Sequence, residues 1–72
     1  MMGMVEIFKT NVTEHSQAEK IIALLNLHFP CYSVSFDLHD CDNILRVKGD
    51  SVPISEIEHL VSNAGFCCSV LN

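Results

Sequence analysis

The chain has 72 residues, enough for one domain and too few for two. Hydrophobic residues make up 49% of it and charged residues 18%, a balance that fits a folded chain and excludes a disordered one. With a net charge of −5 it lacks the basic surplus that phosphate neutralisation demands, so neither nucleic acid nor an anionic membrane is an expected partner.

No stretch approaches the roughly 20 consecutive apolar residues of a membrane span. The opening Met1-Met2-Gly3-Met4 has no basic region and runs directly into a strand-like segment, unlike a signal peptide. A cytoplasmic protein with reduced thiols is therefore expected. The four cysteines are Cys31, Cys41, Cys67 and Cys68, with no Cys-x-x-Cys pair among them. Adjacent Cys67 and Cys68 are poorly placed to bridge each other. The plain reading of all four is as small hydrophobes.

Val5 to Val12 is rich in β-branched and aromatic residues and reads as a strand. Val5, Ile7 and Phe8 place apolar groups on both of its faces, which suits a central position in a sheet. Thr13 to Phe29 reads as a helix, with Ala18, Ile21, Ile22 and Leu25 forming one apolar stripe. Ser16 with Glu19 fits a capping box, and Thr13 is a rival cap one turn earlier. Pro30 ends the helix and biases Phe29 away from it.

From Cys31 to Asp40 the alternation is clean: Tyr32, Val34, Phe36 and Leu38 on one side, Ser33, Ser35, Asp37 and His39 on the other. That pattern predicts a half-buried strand with a wet face. Asp40-Cys41-Asp42-Asn43 is a turn. Ile44 to Gly49 returns as a strand, with Leu45 and Val47 inward and Arg46 and Lys48 outward. Pro53 suits a first helical turn, and Ile54, Ile57, Leu60, Val61 and Ala64 make a second apolar stripe. Gly65 is the expected residue just past that helix. Phe66 to Leu71 is a short last strand.

The order is β-α-β-β-α-β with short connections. It predicts one α+β domain over 1–72 of ferredoxin-like type: a four-stranded antiparallel sheet, order 4-1-3-2, with both helices on one face. The outer face, read from Ser33, Ser35, Asp37, Arg46 and Lys48, is mostly polar, which argues against a large obligate interface there. The last strand, 67–71, is an apolar edge, and an edge invites pairing with another chain. The leading partner expectation is thus a homodimer or a protein partner through strand 67–71.

Three blocks resemble heavy-metal-associated domains: Val12…Ile21…Leu24-Leu25, then Ile44-Leu45-Arg46-Val47-Lys48-Gly49, then Ile57…Leu60…Ala64-Gly65-Phe66. The resemblance covers nearly the whole chain and implies the same βαββαβ fold. In that family the loop after the first strand reads Gly-Met-x-Cys-x-x-Cys and holds the metal. Counting back from Ile21, the equivalent stretch is Asn11-Val12-Thr13-Glu14-His15-Ser16-Gln17. Val12 takes the place of the methionine, and Glu14 and Gln17 those of the two cysteines. Cu(I) needs soft thiolate ligands, so copper handling of the family's kind is not expected and no cofactor is implied.

The topology brings the first strand–helix loop, the hairpin turn and the last helix–strand loop to one end. That end holds Glu14, His15, His39, Asp40, Cys41, Asp42, Cys67 and Cys68. Imidazole, thiolate and carboxylate are zinc ligands. A transition-metal site, zinc above all, built from Glu14, His15, His39, Cys41 and Cys67 is the alternative to a metal-free binding or interaction domain. The plain alternative makes His15 a solvated first-turn residue, His39 an outward strand residue and the aspartates turn formers. His28 and Cys31 fall at the opposite end, and His59 lies off the second helix's apolar stripe.

Catalysis is not expected, because a thin two-layer domain offers little cleft for a nucleophile, a base and an orienting group. The three glycines, Gly3, Gly49 and Gly65, make no phosphate loop. Ile7 to Val12 resembles the first strand of an RNA recognition motif, but the third strand, Ile44 to Gly49, has no aromatic on which a base would stack.

Overall fold

The computed structural model describes residues 3–39 and 43–71. Its elements run β1 (Met4–Thr10), α1 (His15–His28), β2 (Ser33–Asp37), β3 (Ile44–Gly49), α2 (Ile54–Asn63) and β4 (Cys68–Val70). The strands form one antiparallel sheet in the order β2-β3-β1-β4, the expected ferredoxin-like arrangement. No helix among the described residues is long and apolar enough to cross a membrane.

The core lies on one side of the sheet. Phe8, Leu45 and Val47 point there and meet Ala18, Ile21 and Leu25 of α1 and Ile57 and Val61 of α2. Both helices therefore cover the same face. Val34 and Phe36 of β2, half-buried, close that layer at one margin, and Cys68 and Val70 of β4 close it at the other.

Boundaries differ from the sequence expectation where local chemistry decides them. Helix α1 starts at His15, not Thr13, and its cap is Glu14 rather than Ser16 or Thr13. Glu14 and Gln17 form the capping box, with the spacing expected of Ser16 and Glu19 but two residues earlier. The Gln17 half is the better formed: its Oε1 accepts from the Thr13 and Glu14 backbone N–H groups at 3.3 and 3.4 Å. Pro53 stands at the cap of α2 rather than inside its first turn, and the Ile57 N–H reaches its carbonyl at 3.1 Å.

Helix α2 ends as Gly65 predicts. The Phe66 N–H donates to the Val61 carbonyl at 3.2 Å and the Gly65 N–H to that of Ser62 at 3.0 Å, a Schellman closure that needs Gly65 at φ 97°. Phe66 then packs on the core. Ala64, placed on the apolar stripe by its spacing, caps the helix and is exposed.

The strands are shorter than their apolar patterns. β2 covers Ser33–Asp37 of the expected 31–40, and β4 covers Cys68–Val70 of the expected 66–71. Residues 40–42 of the expected hairpin turn lie outside the described residues. Asn43, its last residue, takes φ 51°, a left-handed conformation that Asn tolerates better than most side chains.

Candidate functional site

Two regions carry chemistry: the end where three loops were expected to meet, and the sheet face that no helix covers.

The three loops do converge. The Thr10 hydroxyl donates to the Asn43 carbonyl at 2.7 Å, tying the end of β1 to the hairpin turn. The same oxygen accepts from the Val12 N–H at 3.2 Å. The Asn11 Oδ1 accepts from the Cys67 N–H at 2.8 Å, tying the first loop to the last. Glu14, His15, His39 and Cys67 are all exposed around this end, and Cys41 lies outside the described residues. Among the described residues no three His, Cys, Asp or Glu side chains gather as a metal-ligand set. His39 lies beyond β2, and its N–H donates to Asp37 Oδ1 at 3.1 Å. Glu14 and Gln17, at the positions the resemblance aligns with paired cysteines, serve as the helix cap.

Cys67 and Cys68 differ sharply despite being neighbours. Cys67 is exposed. Cys68 is half-buried opposite Thr10, and burial, reinforced by the negative charge of Glu58, pushes its thiol up to about 12. It therefore stays protonated at neutral pH and is a poor nucleophile and a poor metal ligand.

Glu58 has a second effect. Its Oε2 accepts from the Val70 N–H at 3.0 Å. The Leu71 N–H turns inward to the Ile7 carbonyl at 2.7 Å, so Val70 is one of the residues whose backbone faces away from β1. A carboxylate from α2 thus occupies an edge donor that an incoming strand would need. The expected pairing edge at 67–71 is only three residues long and partly blocked.

The uncovered face follows from strand register. Val5 lies opposite Lys48, Ile7 opposite Arg46 and Lys9 opposite Ile44. Across the next ladder Ser33, Ser35 and Asp37 lie opposite Lys48, Arg46 and Ile44. On the far side Ser69 lies opposite Lys9, and continuing the register sets Leu71 opposite Ile7. Alternation turns all of these away from the Phe8–Leu45–Val47 side.

The face read from β2 and β3 as polar therefore carries an apolar stripe from β1 and the chain beyond β4. Val5 is 51% exposed and Leu71 40%, with Ile7 between them half-buried. The signal was present in the sequence, where β1 is apolar on both sides, but which strands flank it decides what that second side meets. Arg46 reaches Asp37 at 3.7 Å, both groups being substantially exposed. A surface pair of that length contributes little. Among the described residues no strand aromatic lies on this face: Phe8 is wholly buried on the other, and Phe36 pairs with Leu45 on that same side.

At the opposite end of the domain a cleft of about 540 Å³ opens between the end of α1 and the first turns of α2. His28, Phe29, Ser55, Glu56, His59 and Leu60 line it. His28 falls away from the loop end, as expected, and shares this cleft with His59, which lies off the apolar stripe of α2.

The molecule is thus a small α+β layer pair with one sheet face free. Comparisons with protein-family models, curated proteins and solved structures return no match.

Proposed function

We propose that the chain is a non-catalytic protein-interaction domain, built like a heavy-metal-associated domain but not carrying copper, and that its working surface is the uncovered sheet face. The observation that carries this reading is the exposed Val5–Ile7–Leu71 stripe, left bare because both helices pack on the other side. A partner that covered this stripe would remove its apolar surface from water. The capping role of Glu14 and Gln17 supports the copper-free half of the reading.

The competing reading is a zinc site at the loop end. Convergence of the three loops favours it, and Cys41 would have to supply a ligand. Native mass spectrometry of the reduced protein with Cu(I) and with Zn²⁺ separates the two. No stoichiometric adduct is expected. A retained zinc ion that is lost in Cys41→Ser and His39→Ala would establish the metal reading instead.

The interaction reading is tested by a photo-crosslinking residue placed at Val5 or, as a control on the helical layer, at Lys20, in the protein's own cells. Discrete adducts are expected from Val5 alone. Adducts from Lys20 alone, or from neither, contradict it.

A further inference from the structure

Charge is segregated on this molecule. The chain holds four Lys and Arg residues against nine Asp and Glu, a net −5. Three of the four cations, Lys9, Arg46 and Lys48, project from the uncovered face, and the fourth, Lys20, sits on α1. Among the described residues, register gives that face one carboxylate, Asp37. Among the described residues, the surface that is apolar and bare thus also presents Arg46 and Lys48, on a chain that is acidic as a whole.

The arrangement is specific in its spacing. Neighbouring strands lie about 4.8 Å apart and residues on one face about 7 Å apart along a strand. Lys48 beside Val5 and Arg46 beside Ile7 thus form two cation–apolar pairs side by side, with Leu71 extending the second row. The Asp37 contact does not neutralise Arg46, being 3.7 Å long and solvent-exposed. A guanidinium offers a planar pair of donors to a carboxylate.

We infer that the uncovered face binds an acidic protein segment that carries a row of apolar side chains beside a row of carboxylates, as an amphipathic helix does, the apolar groups meeting Val5, Ile7 and Leu71 and the carboxylates meeting Arg46 and Lys48. This rests on the interaction reading above and names its partner chemistry. Single-stranded nucleic acid also seeks cations, but it stacks its bases on aromatic side chains, and among the described residues the strands present none on this face. The chain's overall negative charge would further repel a polyanion larger than the patch.

The test is fluorescence anisotropy with three labelled probes: a short helical peptide with Leu and Glu in adjacent strips along one face, the same peptide with Lys for Glu, and a single-stranded RNA oligonucleotide. The Glu peptide is expected to bind, to weaken as salt is raised, and to lose about tenfold or more in affinity to the Arg46→Glu/Lys48→Glu variant, as charge reversal at a steering surface demands. Lys20→Glu, on the helical layer, is expected to leave binding unchanged, and the thermal melts of both variants report that the fold is retained. Failure of the Glu peptide to bind, equal loss in Lys20→Glu, or preferential binding of the RNA overturns the inference. If the Glu peptide fails while Val5 still gives crosslinks in cells, the partner chemistry falls and the interaction reading stands; if both fail, both fall.

Discussion

Phe8 and Val5 lie three residues apart on β1, both apolar, yet Phe8 has no exposed surface and Val5 is 51% exposed. The difference is one of parity. An odd offset along a strand reverses the face, and the helices cover only one. On the covered side apolar surface has been removed from water, and it holds the fold together. On the bare side similar side chains remain hydrated and contribute little until something covers them. Apolar residues in one strand can thus serve stability on one side and recognition on the other.

The largest expected effect comes from the covered side. Phe8→Ala removes a wholly buried aromatic from the core and is expected to cost about 3–5 kcal/mol. That is a large share of the stability of a domain this size, so urea denaturation should find the variant largely unfolded. Little loss would mean that the core is not where alternation puts it.

Next is Thr10→Val, which leaves the buried Val12 N–H without its acceptor and the Asn43 carbonyl without its donor. About 1–3 kcal/mol of destabilisation is expected, measured in the same way. Gln17→Ala, which removes the acceptor of the Thr13 and Glu14 N–H groups at the start of α1, is expected to cost about 0.5–1.5 kcal/mol. Val5→Ser, by contrast, should change stability by no more than about 0.5 kcal/mol, because the side chain is exposed. A Val5 cost approaching that of Phe8 would erase the distinction between the faces.

The smallest effect concerns the thiols. Cys67 should react with iodoacetamide far faster than Cys68 at pH 8, read by peptide mass spectrometry, because Cys67 is exposed whereas Cys68 is half-buried and held protonated by burial and by Glu58. The sign of the linked stability follows. The Cys68 thiol ionises at about 9 when unfolded and about 12 when folded. Between those values the unfolded chain has given up a proton the folded chain keeps, so the Cys68 contribution is intact below pH 9 and is lost as pH rises toward 12. Cys68→Ala should flatten that part of the stability profile.

Much of the fold is legible in the sequence. The alternation of Tyr32 to Leu38, the helical spacing of Ile54, Ile57, Leu60 and Val61, and Gly65 are local signals with one physical solution each. The helix start was less legible because Thr13, Glu14 and Ser16 all sit at plausible caps, and the Glu14–Gln17 box wins through a reciprocal contact that spacing alone does not rank. The bare stripe is not legible locally, for a different reason. The β2–β3 hairpin, whose members are consecutive in sequence, shows a polar outer face, whereas Val5 and Ile7 join that face only through pairing with a strand some forty residues away. Glu58 on the β4 edge is likewise a tertiary contact without a sequence signature. Convergence of the loops at Asn11, Asn43 and Cys67 followed from topology, but topology does not aim side chains, and the described members of the candidate zinc set do not gather.

The most direct test is to map the Glu/Leu peptide onto the protein by amide chemical-shift perturbation at low salt. The two-face account predicts shifts concentrated at Val5, Ile7, Arg46, Lys48 and Leu71, with the helices unmoved beyond local effects. Shifts centred on α1 and α2, or at the His28–His59 cleft, would contradict it.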